Sequence, residues 1–158
     1  MIILCLNCGS SSVKYRLYDW NKKETIATGI VERVTTRGSF CIQEVTGQNS
    51  VRVERECPTH REAIKLIIEM LTSTKDGVIK DLKVISAVGH RVVHGGERFA
   101  KSIIITEEVL DEFKKLADLA PLHNPPNILG IEAAKELLPN VPHMAIMDTA
   151  WHQTMPKY

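Results

Sequence analysis

The chain has 158 residues, 44% hydrophobic and 25% charged, with 20 basic against 19 acidic side chains and a formal net charge of +1. That length supports one domain with a real core, and the composition is ordinary for a globular protein. Balanced charge gives no general pull toward nucleic acid or anionic membrane, and no apolar run approaches the ~20 residues that span a bilayer. The apolar amino terminus lacks a basic n-region and is not expected to act as a signal peptide. Four cysteines with no export signal suggest reduced thiols in a cytoplasm.

Residues 2–7 read as a buried strand. Val13–Trp20 reads as a second strand, with Val13, Tyr15 and Leu17 on one face. Asn21-Lys22-Lys23 turns the chain into a third strand, Thr25–Val34, and the short connections predict three antiparallel neighbours. A further hairpin is expected at about residues 37–57, around Gly47-Gln48-Asn49. Thr59-His60-Arg61-Glu62 fits a capping box, and Ile64, Ile67, Ile68 and Leu71 make the apolar stripe of a first helix. Val84–Val93 reads as a strand that runs into His90, Arg91 and His94.

A second helix is expected near Thr106, with Glu107 and Glu108 at the positive end of its dipole. Pro121 and Pro125-Pro126 bracket Leu122-His123-Asn124 in a stiff loop, and Pro126 can open a third helix with Ile128, Ile131 and Leu138 inward. Val141–Met147 reads as a last buried strand ending at Asp148. This order predicts an α/β protein with a mixed sheet and flanking helices. Its most telling polar residues lie at strand ends, where open α/β sheets bind ligands. The chain stops at Tyr158 with no closing element, and is therefore expected to be a fragment of something longer.

Four stretches carry chemistry. In Asn7-Cys8-Gly9-Ser10-Ser11-Ser12-Val13-Lys14, Gly9 is expected to turn through positive φ. The serines add hydroxyl donors, and Lys14 adds charge to a nest of amides suited to phosphate. The plainer reading is a serine-rich hairpin. In Gly89–Phe99, Arg91 offers a planar fork for a carboxylate or phosphate, or else a surface ion pair. His90 and His94 alone are too few for zinc. His123 on its rigid loop suits donation to a phosphoryl group, or simply caps a carbonyl. Asp148, at a strand tip, can hold magnesium or cap the next turn of chain. Cys5-x-x-Cys8 is followed by strand rather than helix, which disfavours a redox pair. Cys5 is expected in the core and Cys8 beside the loop. Donor-rich loop, arginine, histidine and carboxylate are together the parts of a phosphoryl-transfer site.

The segments NCGSSSVKY, GHRVVHGGERF, PLHNPPNILGI and MDTAWHQTMP, in this order, resemble the N-terminal half of the acetate kinase family, with a looser stretch from about residue 35 to 80. The resemblance implies a ribonuclease H-like lobe of the actin, hexokinase and Hsp70 superfamily over residues 1–158, with a hairpin insertion at about 37–57 and the C-terminal lobe absent. It implies reversible transfer of the ATP γ-phosphate to acetate, with Mg²⁺ or Mn²⁺, in a homodimer formed mainly through the missing lobe. Asn7 and Asp148 would attend the metal, and Ser10, Ser12 and Lys14 the phosphates. Arg91 would bind acetate or the transferring group, and His123 would donate to that group. Val93 and Leu122 would line the methyl pocket. Trp151 stands where the family usually has phenylalanine. The fragment should hold half a site and be inactive alone.

An ionised carboxylate nucleophile needs no general base, since carboxyls titrate near ~4. Direct in-line transfer is therefore expected, with Asp148 an orienting or metal-binding group. The alternatives are a propionate kinase, whose substrate differs by one methylene, and a nucleotide-binding module without turnover. A ribonuclease H-type nuclease would want a carboxylate where Asn7 stands.

Overall fold

The computed structural model describes residues 1–95, 99, 101–117 and 124–148. Its eight strands are β1 (Ile2–Cys8), β2 (Ser12–Asp19), β3 (Glu24–Glu32), β4 (Phe40–Val45), β5 (Val51–Glu54), β6 (Ile85–Val92), β7 (Ile103–Ile104) and β8 (His143–Met147). They form one sheet in the order β5-β4-β3-β2-β1-β6-β8-β7. The helices are α1 (His60–Thr72), α2 (Glu107–Lys115) and α3 (Asn124–Leu137). Among the described residues no helix is long and apolar enough to cross a membrane.

The expected antiparallel trio is present, and β4 and β5 continue it, with Ile30 opposite Ile42 and Cys41 opposite Val53. Strands β6 and β8 then add in parallel, β6 beside β1 and β8 beside β6. Parallel pairing sends β1, β6 and β8 to the same end of the sheet, so their carboxyl-terminal residues meet there. Strand β7, only two residues long, pairs antiparallel with β8 and was not expected. Strand β8 starts at His143 rather than Val141; Pro142 has no amide to donate, and only its carbonyl is used, by the Val88 amide.

Strands β1 and β8 are not buried on both faces as expected. Leu4, Leu6 and Cys8 point into the core while Cys5 is exposed, and Ala145 and Met147 are buried while Ile146 is exposed. The inner face packs against α1 and α3 through residues such as Leu4, Leu17, Ile64, Ile67 and Ala134. Each such leucine or isoleucine contributes about 1.5–3 kcal/mol by burial. A second cluster, with Phe99, Phe113, Ile131 and Met147, seats α2 and α3 at the β8 end. Thr59 caps α1 by accepting from the Arg61 amide, and Thr106 caps α2 by accepting from the Val109 amide. Thr59 and Glu62 also hydrogen-bond each other's side chains, a variant of the expected capping box.

Helix α3 reaches β1 because Gly130 has no side chain. A Cβ there would lie 2.2 Å from the Cys8 sulfur and 2.8 Å from its Cβ. Gly130→Ala is expected to lose about 1–2 kcal/mol of stability, overpacking outweighing the better helix propensity of alanine. A fall in the urea midpoint would register it; an unchanged midpoint would mean that α3 can slide off β1 without cost.

Candidate functional site

The site is built where the three parallel strands end. Residues alternate faces along a strand. Asn7 on β1, Arg91 on β6, and Ile146 and Asp148 on and just past β8 therefore project from the sheet face away from the helices. Lys14 joins them because it stands opposite Asn7 in the β1–β2 ladder. Asn7, Lys14, Arg91 and Ile146, with Cys5 and Arg16, line an open cleft of about 570 Å³, and Asp148 adjoins it through Arg91.

Arg91 is the hub. Its Nε lies 3.0 Å from both carboxylate oxygens of Asp148, and its Nη2 donates to Oδ2 at 2.6 Å. Its Nη1 donates to Asn7 Oδ1 at 3.4 Å. The bond to Asp148 holds the Arg91 pKa even further up. The two side chains are 49% and 38% exposed, so the pair adds only about 0–1 kcal/mol to stability. Its consequence is orientation: Asp148 occupies one edge of the guanidinium and leaves one N–H on each of Nη1 and Nη2 unbonded among the described residues, on a side chain that lines the cleft and can offer a planar anion a fork.

The Gly9–Ser12 hairpin closes the end of β1, with the Gly9 amide donating to the Ser12 carbonyl at 2.8 Å. Gly9 does not turn through positive φ; among described glycines only Gly38 and Gly47 do. The Gly9 amide is thus spent within the turn, which takes one donor from the expected nest. The hydroxyls of Ser10, Ser11 and Ser12 meet no partner among the described residues, and Ser10 and Ser11 are exposed. Val93 is half-buried just beyond β6. His123 and Leu122 lie outside the described residues, as does Trp151.

The cysteine expectation is reversed. Cys5 is exposed in the cleft and Cys8 is buried. Three positions apart on one strand they face opposite ways and cannot bridge. Burial pushes the Cys8 thiol up to about 12, and burial raises that of Cys5 against the opposing pull of Arg16. Neither is an activated thiolate. His90 finds its partner in buried His143, not His94, with Nε2 2.9 Å from His143 Nδ1. The described residues hold no cluster of three histidine, cysteine or acidic groups fit for a metal.

Three buried side chains that grip the site's backbone were not foreseen. His60, at the start of α1, donates from Nε2 to the Gly9 carbonyl at 2.7 Å. Asn124 donates to the His94 and Leu116 carbonyls. Asn127 donates to the Cys8 carbonyl at 2.6 Å and accepts from the Val93 amide at 3.2 Å. The one sequence signal for the asparagines is their place on either side of Pro125-Pro126.

Antiparallel strands followed by parallel ones, helices on the inner face, and polar side chains at the parallel strands' carboxyl ends define a ribonuclease H-like lobe of the actin, hexokinase and Hsp70 superfamily. The sequence profile of the Acetokinase family matches residues 2–158. The chain belongs to the acetokinase family. It is 61% identical over 158 residues to an acetate kinase of Geobacter metallireducens, covering 100% of this chain and 38% of that relative. It superimposes on the crystal structure of Porphyromonas gingivalis acetate kinase with a TM-score of 0.93 at 44% identity, covering 99% of this chain and 39% of that one. A propionate kinase from Francisella tularensis gives a TM-score of 0.86 at 37% identity, again over 99% of this chain and 39% of that one. The chain therefore spans well under half the length of these relatives.

Proposed function

We propose that this chain is the N-terminal lobe of a kinase that transfers the γ-phosphate of ATP, reversibly, to acetate, and that it carries half of the active site. The observation that carries this reading is the Arg91 guanidinium, braced by Asp148 and Asn7 on the wall of the cleft.

The chemistry is governed by charge. Acetate is ionised at neutral pH, since carboxyls titrate near ~4, and attacks without a base. The difficulty is bringing a carboxylate to a polyphosphate. Arg91 and Lys14 supply fixed positive charge, the hydroxyls of Ser10 and Ser12 donate to phosphate oxygens, and Asp148 keeps the fork aligned. His123 donates to the transferring group, and Val93 with Leu122 encloses the acetate methyl. Asn7 Oδ1 and the Asp148 carboxylate are hard oxygen donors in one place. Two protein ligands suit Mg²⁺ or Mn²⁺, ions that also keep water and phosphate oxygens, so the donor set fits. When bound, the ion neutralises charge on the phosphates. The rest of the protein completes the site and forms a homodimer, in the cytoplasm.

Acetate and propionate differ by one methylene, worth only ~1–3 kcal/mol in a pocket. The Francisella tularensis neighbour makes propionate the natural competitor. The test is a hydroxamate assay on the whole protein with ATP, a divalent ion and either acid. Acyl phosphate formed faster from acetate, with inversion at a chiral γ-phosphate, is expected. A higher kcat/KM for propionate reassigns the acceptor, net retention sinks direct transfer, and ATP binding without turnover leaves a nucleotide-binding module.

A further inference from the structure

The geometry points to Asn127 as a positioning residue that sets the separation of Asn7 and Arg91. The parallel ladder between β1 and β6 ends at Leu6 opposite His90, one residue short of the pair that matters. Beyond it stand the Cys8 carbonyl on one strand and the Val93 amide on the other. Asn127, 4% exposed in the first turns of α3, supplies the missing rung. Its Nδ2 donates to Cys8 O at 2.6 Å, and its Oδ1 accepts from Val93 N–H at 3.2 Å. The carboxamide thus acts as an inserted peptide group, bridging the strands across the segment where Asn7 Oδ1 and Arg91 Nη1 face each other at 3.4 Å.

The orientation of the amide is dictated by its partners. An amide proton requires oxygen and a carbonyl requires N–H, so a flipped side chain fails at both ends. Helix α3 comes close enough for this reach because Gly130, one turn on, lies against Cys8. His60 holds the next carbonyl, Gly9 O, from the other helix. The role rests on the kinase reading above, because it is the transfer geometry that Asn127 would keep. Misplacement of a charge-stabilising group by about an ångström costs roughly 10²-fold in rate.

Asn127→Asp in the whole protein tests this. The substitution is nearly isosteric and keeps the acceptor for Val93, but turns an oxygen toward the Cys8 carbonyl. Assayed well below its unfolding temperature, the variant is expected to lose at least ~10-fold in kcat while the KM for ATP changes less than ~3-fold, because binding survives and alignment does not. Hydrogen exchange should quicken in peptides spanning 7–12 and 91–95 and not elsewhere. A variant that melts earlier but keeps its kcat, or exchanges faster uniformly, makes Asn127 a stability residue and overturns the proposal. If the variant does not fold, exchange at the Val93 amide of the unsubstituted protein decides: slow exchange past the end of β6 supports the bridge, and fast exchange removes it. An unsubstituted protein that makes no acyl phosphate defeats the kinase reading alone, and the bridge is then judged by exchange.

Discussion

Arg91→Ala in the whole protein is expected to lower kcat/KM for acyl phosphate formation by roughly 10³-fold or more. A single donor aimed at developing charge is typically worth about 10²–10³, and an arginine acting on a transferring phosphoryl group up to about 10⁵. Folding should be nearly untouched, because the side chain is half exposed and its ion pair adds little stability. Arg91→Lys should recover little. Lysine restores charge but not the fork, and it cannot hold Asp148 by one edge while presenting another. Asp148→Ala should also be severe, since it releases Arg91 as well as removing a carboxylate. The Arg91→Ala/Asp148→Ala double variant should then cost less than the product of the single losses, as expected for groups acting as a unit. A kcat/KM within tenfold of the parent for Arg91→Ala, with the protein folded, would remove the hub of the site.

The residues of this hub were legible because each lies at or near the end of a largely apolar stretch. Asn7 after Ile2–Leu6, Arg91 after Val84–Val88, and Asp148 after Val141–Met147 all read as strand-tip polar groups, and parallel pairing gathers such tips at one edge. The two-sided exposure pattern was hidden for the same reason: a stretch apolar at most positions, on either parity, looks doubly covered, as in parallel sheets with helices on both sides. Here the outer face of β1 and β8 forms the cleft wall. Cys5 and Cys8 exchanged places because their positions depend on which face Leu4 takes, and the run does not break that symmetry.

The supporting groups were not legible. Asn127 meets Cys8 across 119 residues, His60 meets Gly9 across 51, and His90 meets His143 across 53. These side chains bond to backbone or to another buried ring, so no periodicity marks them. Gly130 likewise reads as a weak spot in a helix until Cys8 is seen beneath it.

The His90–His143 pair predicts acid sensitivity well above the pH at which most carboxylates protonate. Both rings are buried on adjacent strands, stacked with centroids 5.2 Å apart. His143 Nε2 donates to the Leu138 carbonyl at 3.0 Å, which leaves its Nδ1 to accept from His90 Nε2. That arrangement is satisfied when both rings are neutral. Desolvation, then His143, lowers the His90 pKa from 6.5 to about 3, and burial foremost lowers that of His143, with the Lys135 charge adding to it. A depressed histidine binds fewer protons folded than unfolded. Stability is therefore full above pH 6.5 and is lost as pH falls from there toward the folded value near 3. Each depressed histidine gives a slope of up to ~1.4 kcal/mol per pH unit, so His90 alone costs about 2 kcal/mol by pH 5, a large share of a typical 5–15 kcal/mol. The carboxyls of Glu62, Glu107 and Glu136 are held below 4.5, so their contributions vanish only under that value, and the window from pH 5 to 7 isolates the histidines. His90→Gln keeps a donor for His143 Nδ1 and abolishes one titration. It should match the parent within about 1 kcal/mol at pH 8 and lose up to one proton's worth of slope between pH 7 and 5. Parallel stability curves for the two proteins, from denaturant unfolding across that window, would show that the pair admits a proton without breaking.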